Sequence, residues 1–214
     1  MPGGDPLKVD AAVAGASCYA LLNDGKDVQE LDLKDALQRD RVLTMVGDTD
    51  VVVEQFRPGV MDRLELGYAA LQARNPRLIY CSITGYGQSG ARAQRAGHDL
   101  TYLAESGMLT LLCDRGGAPV VPGALIADVG GGTYPALVNI LLALLARERT
   151  GQGAHLDIAM ADGAYAFAPW ALTAGRMHAH AGGELLTGGS PRYRIYPTSD
   201  GAFVAVAALE DKFW

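Results

Sequence analysis

The sequence predicts an α/β fold built on a parallel sheet, and three observations carry that expectation. Short apolar runs of strand type alternate with helix-like stretches along the chain, residues 50–84 read as strand, helix, strand, and the stretch between those two strands is long enough to be a crossover. With 214 residues, 49% of them hydrophobic and 20% charged, the chain can bury a sizeable core, which excludes a disordered tail or a coiled coil. At roughly 150 residues per domain it amounts to one large domain, or one and a half.

The elements follow from period and punctuation. Val28 to Leu33 alternates apolar and polar residues as a strand does, and Asp35 to Val46 carries an apolar stripe of helical period. Asp50 to Glu54 holds three consecutive valines, Pro58 and Gly59 break the chain, Val60 to Arg74 is helical, and Arg77 to Thr84 is a second apolar strand. Gly85 to Ala96 is a loop, Asp99 to Leu112 a helix, and a further loop runs to Ala127. A long helix covers Thr133 to Arg149 and ends at Gly151 and Gly153, the punctuation expected beyond a helix C-terminus. His155 to Met160 alternates as a strand, Asp162 to Met177 is helical, and Gly182 to Pro191 is a glycine-rich loop. Tyr193 to Pro197 and Ala202 to Leu209 form a hairpin around Thr198-Ser199-Asp200-Gly201, and a new helix begins near Glu210. The uncharged run Val129 to Ala146 has the length of a membrane span, but three glycines and Pro135 occupy its start, so the expectation is a buried core helix too short to cross a bilayer.

Charge and cysteine usage narrow the function classes. Against 24 Asp and Glu stand 18 Lys and Arg, a net charge of −6. That balance argues against a nucleic-acid or membrane-surface binder while leaving room for a local basic pocket. Of the basic residues only Lys8, Lys26, Lys34 and Lys212 are lysines. Arginine suits bidentate phosphate recognition, and GC-rich codon usage, which also gives many Ala and Gly, accounts for the bias as well. Cys18, Cys81 and Cys113 are odd in number, widely spaced and without a C-x-x-C pair, which fits a reduced, intracellular compartment. Met1 to Asp10 has no apolar signal-peptide region, so a cytoplasmic location is expected.

Several motifs ask for a chemical reading. Gly85-Tyr86-Gly87-Gln88-Ser89-Gly90 matches G-x-G-x-x-G after a strand, but Ala91 to Arg95 opens no apolar helix and no acid follows on a second strand. A flexible loop beside a ligand is expected there, not a dinucleotide site. Of the four histidines only His178 and His180 are close, at a spacing that diverges on a helix, so no metal site is expected. His155 reads as a packed or surface strand residue. His98 follows a glycine-containing loop at the mouth of a helix, where a neutral, basic imidazole is favoured and helix capping is an equally local use. Asp128 stands between an apolar segment and Gly130-Gly131-Gly132. It could cap the following helix, or present a carboxylate that a substrate can approach over little side-chain bulk.

The spaced runs Leu31 to Lys34, Glu54 to Leu64, Ser82 to Gln88, Gly97 to Leu103, Ala127 to Gly132, Thr150 to Gly153 and Met160 to Gly163 together resemble the family III CoA-transferases. Gly97-His98-Asp99 and Ala208-Leu209-Glu210 make the chain most similar to the α-methylacyl-CoA racemase branch of that family. The resemblance implies a Rossmann-like parallel sheet with flanking helices, with a large CoA-binding and catalytic domain over residues 1–180 and the start of a small α/β domain over 181–214. It also implies that the first βα unit and most of the small domain are missing. In the racemase branch two acid/base groups fall on His98 and Asp128, and Glu210 matches a carboxylate that supports them. One group would remove the proton beside a thioester and the other would return one to the opposite face of the enolate, on a 2-methyl-branched acyl-CoA of lipid metabolism. In the transferase branch the residue matching Asp128 is instead a nucleophile that forms an aspartyl-CoA thioester, and His98 is not needed.

The CoA cradle implied by the resemblance comprises Leu31, Asp32, Leu33, Lys34, Gln55, Phe56, Arg57, Arg63, Gly97, Asp99, Leu100, Thr101 and Tyr102, with Arg57 and Arg63 as phosphate partners. Coenzyme A would enter as part of the substrate, with no tightly bound cofactor, and the family implies an interlocked homodimer that binds neither nucleic acid nor membrane. A non-catalytic remnant, or a subunit completed by a partner chain, is the third possibility. The loops Gly107 to Gly123 and Gly182 to Pro191 are expected to face the acyl group.

Overall fold

The computed structural model describes residues 15–114, 116–169 and 185–214. Its elements run α1 (Gly15–Asn23), α2 (Ala36–Val46), β1 (Val51–Glu54), α3 (Val60–Arg63), α4 (Tyr68–Arg74), β2 (Ile79–Thr84), α5 (Asp99–Glu105), α6 (Tyr134–Thr150), β3 (Ala154–Ala159), α7 (Met160–Ala164), β4 (Tyr193–Pro197) and β5 (Phe203–Ala207). Strands β1, β2 and β3 form a parallel sheet in that order, with Val51 opposite Ile79 and Ile79 opposite Ala154. The predicted α/β class with a parallel sheet and flanking helices is therefore present, and β4 and β5 form the predicted hairpin as a separate antiparallel pair.

The central strand β2 is buried at almost every position, as expected of a strand with neighbours on both sides and helices on both faces. Val46, Leu66, Leu71, Leu78 and Tyr80 make the core beneath α2 and α4, while Cys81, Ala136 and Ile158 make the core beneath α6. Asp35 starts α2 as the sequence suggests, its side chain accepting the Gln38 N–H at 3.0 Å. Arg147, near the end of α6, locks the amino ends of two strands. Its guanidinium donates to Asp50 Oδ1 at 2.8 Å and to the Arg77 carbonyl at 3.1 Å.

Four expectations are corrected. Val28 to Leu33 makes no strand: it has no ladder partner, and local side chains take its backbone bonds, the Asp32 N–H donating to Gln38 at 2.7 Å and the Lys34 N–H to Asp32 Oδ1 at 2.9 Å. Val60 to Arg74 is two short helices. Glu65 adopts φ 58° between them, and the turn folds Leu66 to 0% exposure, burial that a straight helix would not give. The helix from Asp99 stops at Glu105, because Gly107 (φ 82°) turns the chain into a 3₁₀ segment over Met108–Leu111. The glycine run before α6 does not break the helix. Ile126–Thr133 is a π-helical segment continuous with α6, giving 25 helical residues whose most apolar 18-residue stretch has a mean hydropathy of 1.6. Among the described residues this is the one helix long and apolar enough to cross a membrane by length and composition. Nor is it buried all round, since Leu137, Leu141, Leu142 and Leu145 are more than half exposed.

Of the predicted helix from Asp162, the described residues show α7 and a 3₁₀ turn over Tyr165–Phe167, and residues 170–177 lie outside them. His178, His180 and the first part of the Gly182 loop lie outside the described residues. Near Glu210 the chain makes a short 3₁₀ turn, Asp211–Phe213.

Candidate active site

Parallel strands gather ligands at their carboxyl ends, and the sequence-predicted residues converge on that edge beside β2. Gly85 directly follows β2, and the ring of Tyr102 from α5 packs against it. A Cβ on Gly85 would lie 2.4 Å from Tyr102 Cε1, and one on Gly97 would lie 2.5 Å from the same atom. Only glycine at both positions lets the ring slot between the two loops. The Tyr102 hydroxyl then donates to the Gly97 carbonyl at 2.8 Å, fixing the backbone immediately before His98. Tyr86 closes the slot with an edge-on contact, ring centroids 5.3 Å apart.

His98 sits at the N-cap of α5 with an exposed side chain. Thr101 serves its backbone: the hydroxyl accepts the His98 N–H at 2.8 Å and donates to the His98 carbonyl at 2.8 Å. Asp99 beside it is only 8% exposed, and its Oδ1 accepts the backbone N–H of Asp128 at 2.8 Å.

Asp128 lies in the first turn of the π-helical segment, whose N-cap position is Leu125. The capping alternative for Asp128 therefore falls. Its Oδ1 is buried without a hydrogen-bond partner, which is costly for a carboxylate and marks an acceptor left open. Burial first, and the neighbouring Asp99 second, push its pKa up, while His98 pulls it down. Asp99 and His98 thus both act on Asp128 from the far end of a long stretch of sequence. A half-buried carboxyl held above the usual range, with an imidazole acting on it, can accept and return a proton.

The glycine run places this carboxylate in a way the sequence did not suggest. Gly131 and Gly132 are buried, and their lack of side chains serves packing against α7, not substrate approach. A Cβ on Gly131 would lie 2.4 Å from the Met160 carbonyl oxygen, and one on Gly163 would lie 2.0 Å from the Gly131 oxygen. Backbone meets backbone here, and the π-helical turn carrying Asp128 is pressed onto the end of β3.

Among the implied CoA residues, Gln55, Phe56 and Arg57 form the turn after β1, where Glu54 accepts the Phe56 N–H at 2.8 Å. Arg57 is exposed and close enough to lower the pKa of Tyr102, which burial and Asp128 raise. Gln94 ties the loop before His98 to this turn through the Pro58 carbonyl, 3.0 Å away. Arg63 is exposed and folds back over Gly59. Asp32 and Lys34 are exposed, Leu31 is half-buried, and Leu33 packs onto the core beneath α2. Leu100 and Thr101 are exposed on α5. Glu210 is exposed at the head of the last 3₁₀ turn and is not among the charges acting on Asp128. The two loops expected near the acyl group do meet: Cys113 and Asp114 share a cavity of about 700 Å³ with Leu186, Thr187, Gly188 and the β4–β5 hairpin. His155 is an exposed residue of β3, its ring stacked on Tyr68 with centroids 4.9 Å apart and bonded to Ser82 at 3.1 Å.

The family model for CoA-transferase family III matches residues 1–214. Human α-methylacyl-CoA racemase is 39% identical over 196 residues, covering 90% of this chain and 51% of that protein. Acetyl-CoA:oxalate CoA-transferase of Acetobacter aceti is 44% identical over 172 residues, covering 79% of this chain and 44% of that protein. Among solved structures, a CaiB/BaiF family protein from Brucella suis superposes with a TM-score of 0.74 at 33% identity, covering 86% of this chain and 48% of that one. The chain spans about half the length of the relatives it matches.

Proposed function

This chain belongs to CoA-transferase family III, and from that premise we propose that it is an acyl-CoA racemase acting at the α-carbon of 2-methyl-branched thioesters. The observation that carries the reading is the Asp128 carboxyl, partnerless at Oδ1 and held above its ordinary range, with His98 acting on it. A thioester carbonyl acidifies the adjacent C–H. One of the pair removes that proton, the electrons spread into the enolate, and the other delivers a proton to the opposite face. Backbone N–H groups beside the thioester oxygen stabilise the developing charge. Arg57, at the turn that Gln94 holds against the His98 loop, offers a phosphate partner for the CoA moiety. With this reading go an interlocked homodimer, a cytoplasmic location, a division near residue 180 into a large and a small domain, and CoA held only as part of the substrate. The test is mass spectrometry of a chiral 2-methylacyl-CoA incubated with the protein in D₂O. Deuterium uptake at the α-carbon is expected, and none from a folded, CoA-binding protein would remove the reading.

A second reading has its own support in the likeness to an oxalate CoA-transferase. Asp128 would then attack the thioester carbonyl and expel the CoA thiolate, giving a mixed anhydride; the thiolate would attack the Asp128 carbonyl of that anhydride, releasing the free carboxylate and leaving an aspartyl-CoA thioester. Incubation with acyl-CoA followed by intact-mass analysis distinguishes the two, since only the transferase accumulates an adduct at Asp128.

A further inference from the structure

His98 and Asp128 are 30 positions apart in sequence, and the residue that links them performs neither proton transfer nor nucleophilic attack in the readings above. Asp99 follows His98 at the start of α5, is 8% exposed, and accepts the Asp128 backbone N–H at 2.8 Å. We propose that Asp99 is a positioning residue for the proton-transfer pair: its carboxylate clamps the backbone of Asp128 to the residue adjoining His98 and so fixes the separation and orientation of the two groups. The consequence for rate rests on the acyl-CoA reading; the structural clamp does not.

The form of the contact explains how one acid can hold another without disabling it. A buried carboxylate needs donors, and Asp99 takes one from the main chain of Asp128, leaving the Asp128 side chain unspent at Oδ1. Main-chain anchoring also resists motion better than a side-chain contact, because the π-helical turn is already fixed against α7 through Gly131 and Gly163. The clamp has an electrostatic side. Of the groups facing Asp128, Asp99 opposes its ionisation and His98 favours it. Tyr102 of α5 faces it as a phenol whose own ionisation is disfavoured, and Arg57 acts on that phenol from the β1 turn. Asp162, the acid of α7, is exposed and is not among the charges acting on Asp128.

Two substitutions separate the roles. Asp99→Asn keeps an oxygen acceptor near the Asp128 N–H and removes the charge, whereas Asp99→Ala removes both. The first readout needs no substrate: ¹³C NMR titration of the Asp128 carboxyl, assigned with Asp128→Asn, in the 214-residue chain. Asp128 is expected to titrate at lower pH in Asp99→Asn than in the parent. The second is α-proton exchange in D₂O. Loss of a buried hydrogen bond to a charged acceptor predicts that Asp99→Ala lowers kcat about tenfold or more, with KM changed less than about twofold. Asp99→Asn is expected to recover most of that rate with its pH profile displaced to lower pH. A backbone amide ¹H shift of Asp128 that is the same in parent, Asp99→Asn and Asp99→Ala overturns the proposal. So does an equal loss in both variants that merely tracks their melting temperatures, the behaviour of a residue that only stabilises α5. If Asp99→Ala does not fold, the amide shift in Asp99→Asn decides, because a neutral acceptor in place of the carboxylate moves it upfield. If the parent exchanges no deuterium, the acyl-CoA reading fails while the amide shift still judges the clamp.

Discussion

Replacing Gly131 with alanine tests whether backbone contact between the π-helical turn and α7 places Asp128. The added Cβ would stand 2.4 Å from the Met160 carbonyl oxygen and 2.7 Å from the Ala164 nitrogen, against ordinary contacts of 3.4 Å or more. Both obstacles are backbone, so neither can swing aside. The turn must retreat by about 1 Å, and a misplacement of that size at a reacting group costs about a hundredfold in rate, or about 2.7 kcal/mol of activation free energy. Overpacking of this kind destabilises by about 1–3 kcal/mol, which in a chain of this size lowers Tm by about 2–12 °C. The assay is kcat/KM for α-proton exchange beside a calorimetric melt. Gly151→Ala is the control: Gly151 caps α6 at φ 72° with nothing within 4 Å, so it should lower stability without moving Asp128. Full exchange activity in Gly131→Ala, or a loss no greater than that of Gly151→Ala, would refute the reasoning.

Three further outcomes are expected. Asp128→Asn should abolish exchange from one epimer yet stabilise the fold as pH rises. The raised pKa means that the folded state resists the charged form, so Asp128 costs stability once pH passes its ordinary range, and the Tm advantage of the Asn variant should widen from acid to neutral pH in calorimetry. Tyr102→Phe keeps the ring between Gly85 and Gly97 but loses the 2.8 Å bond to the Gly97 carbonyl. Denaturant melts should show about 1 kcal/mol of destabilisation, with a several-fold slower exchange from the loosened His98 backbone. Arg147→Met breaks the tie from α6 to Asp50 and Arg77. Because Asp50 is exposed and can be rehydrated, the cost should be about 1–2 kcal/mol in the same melts, with exchange per folded molecule unchanged.

Local signals in the sequence located elements where local chemistry decides them. Asp35 marks a helix start because its own side chain caps it, and the valines of β1 mark a strand that pairs with β2 while Val52 packs onto the core. The alternation in Val28 to Leu33 failed for a complementary reason: a period of two says that a segment could line a sheet, not that a neighbouring strand exists. The break around Glu65 holds Gly67, whose missing Cβ leaves room for Asp62, and it buries Leu66, a tertiary demand that a helical period does not show. Gly130 to Gly132 read as a turn because glycine usually marks one, whereas the run sits inside a helix so that two backbones can touch. His98 and Asp128 were legible as a pair only through the spaced motifs of the family. The Asp99 bond that joins them spans 29 residues and has no local signature.

The most direct measurement of the central claim follows the α-proton of each epimer of a 2-methylacyl-CoA separately by ¹H NMR in D₂O, with His98→Gln and Asp128→Asn beside the parent. Two groups working on opposite faces predict that the parent exchanges both epimers, and that each variant keeps exchange from one epimer and loses it from the other, in opposite senses. Equal effects of both variants on both epimers, or exchange untouched by either, would contradict a site in which His98 and Asp128 each serve one face.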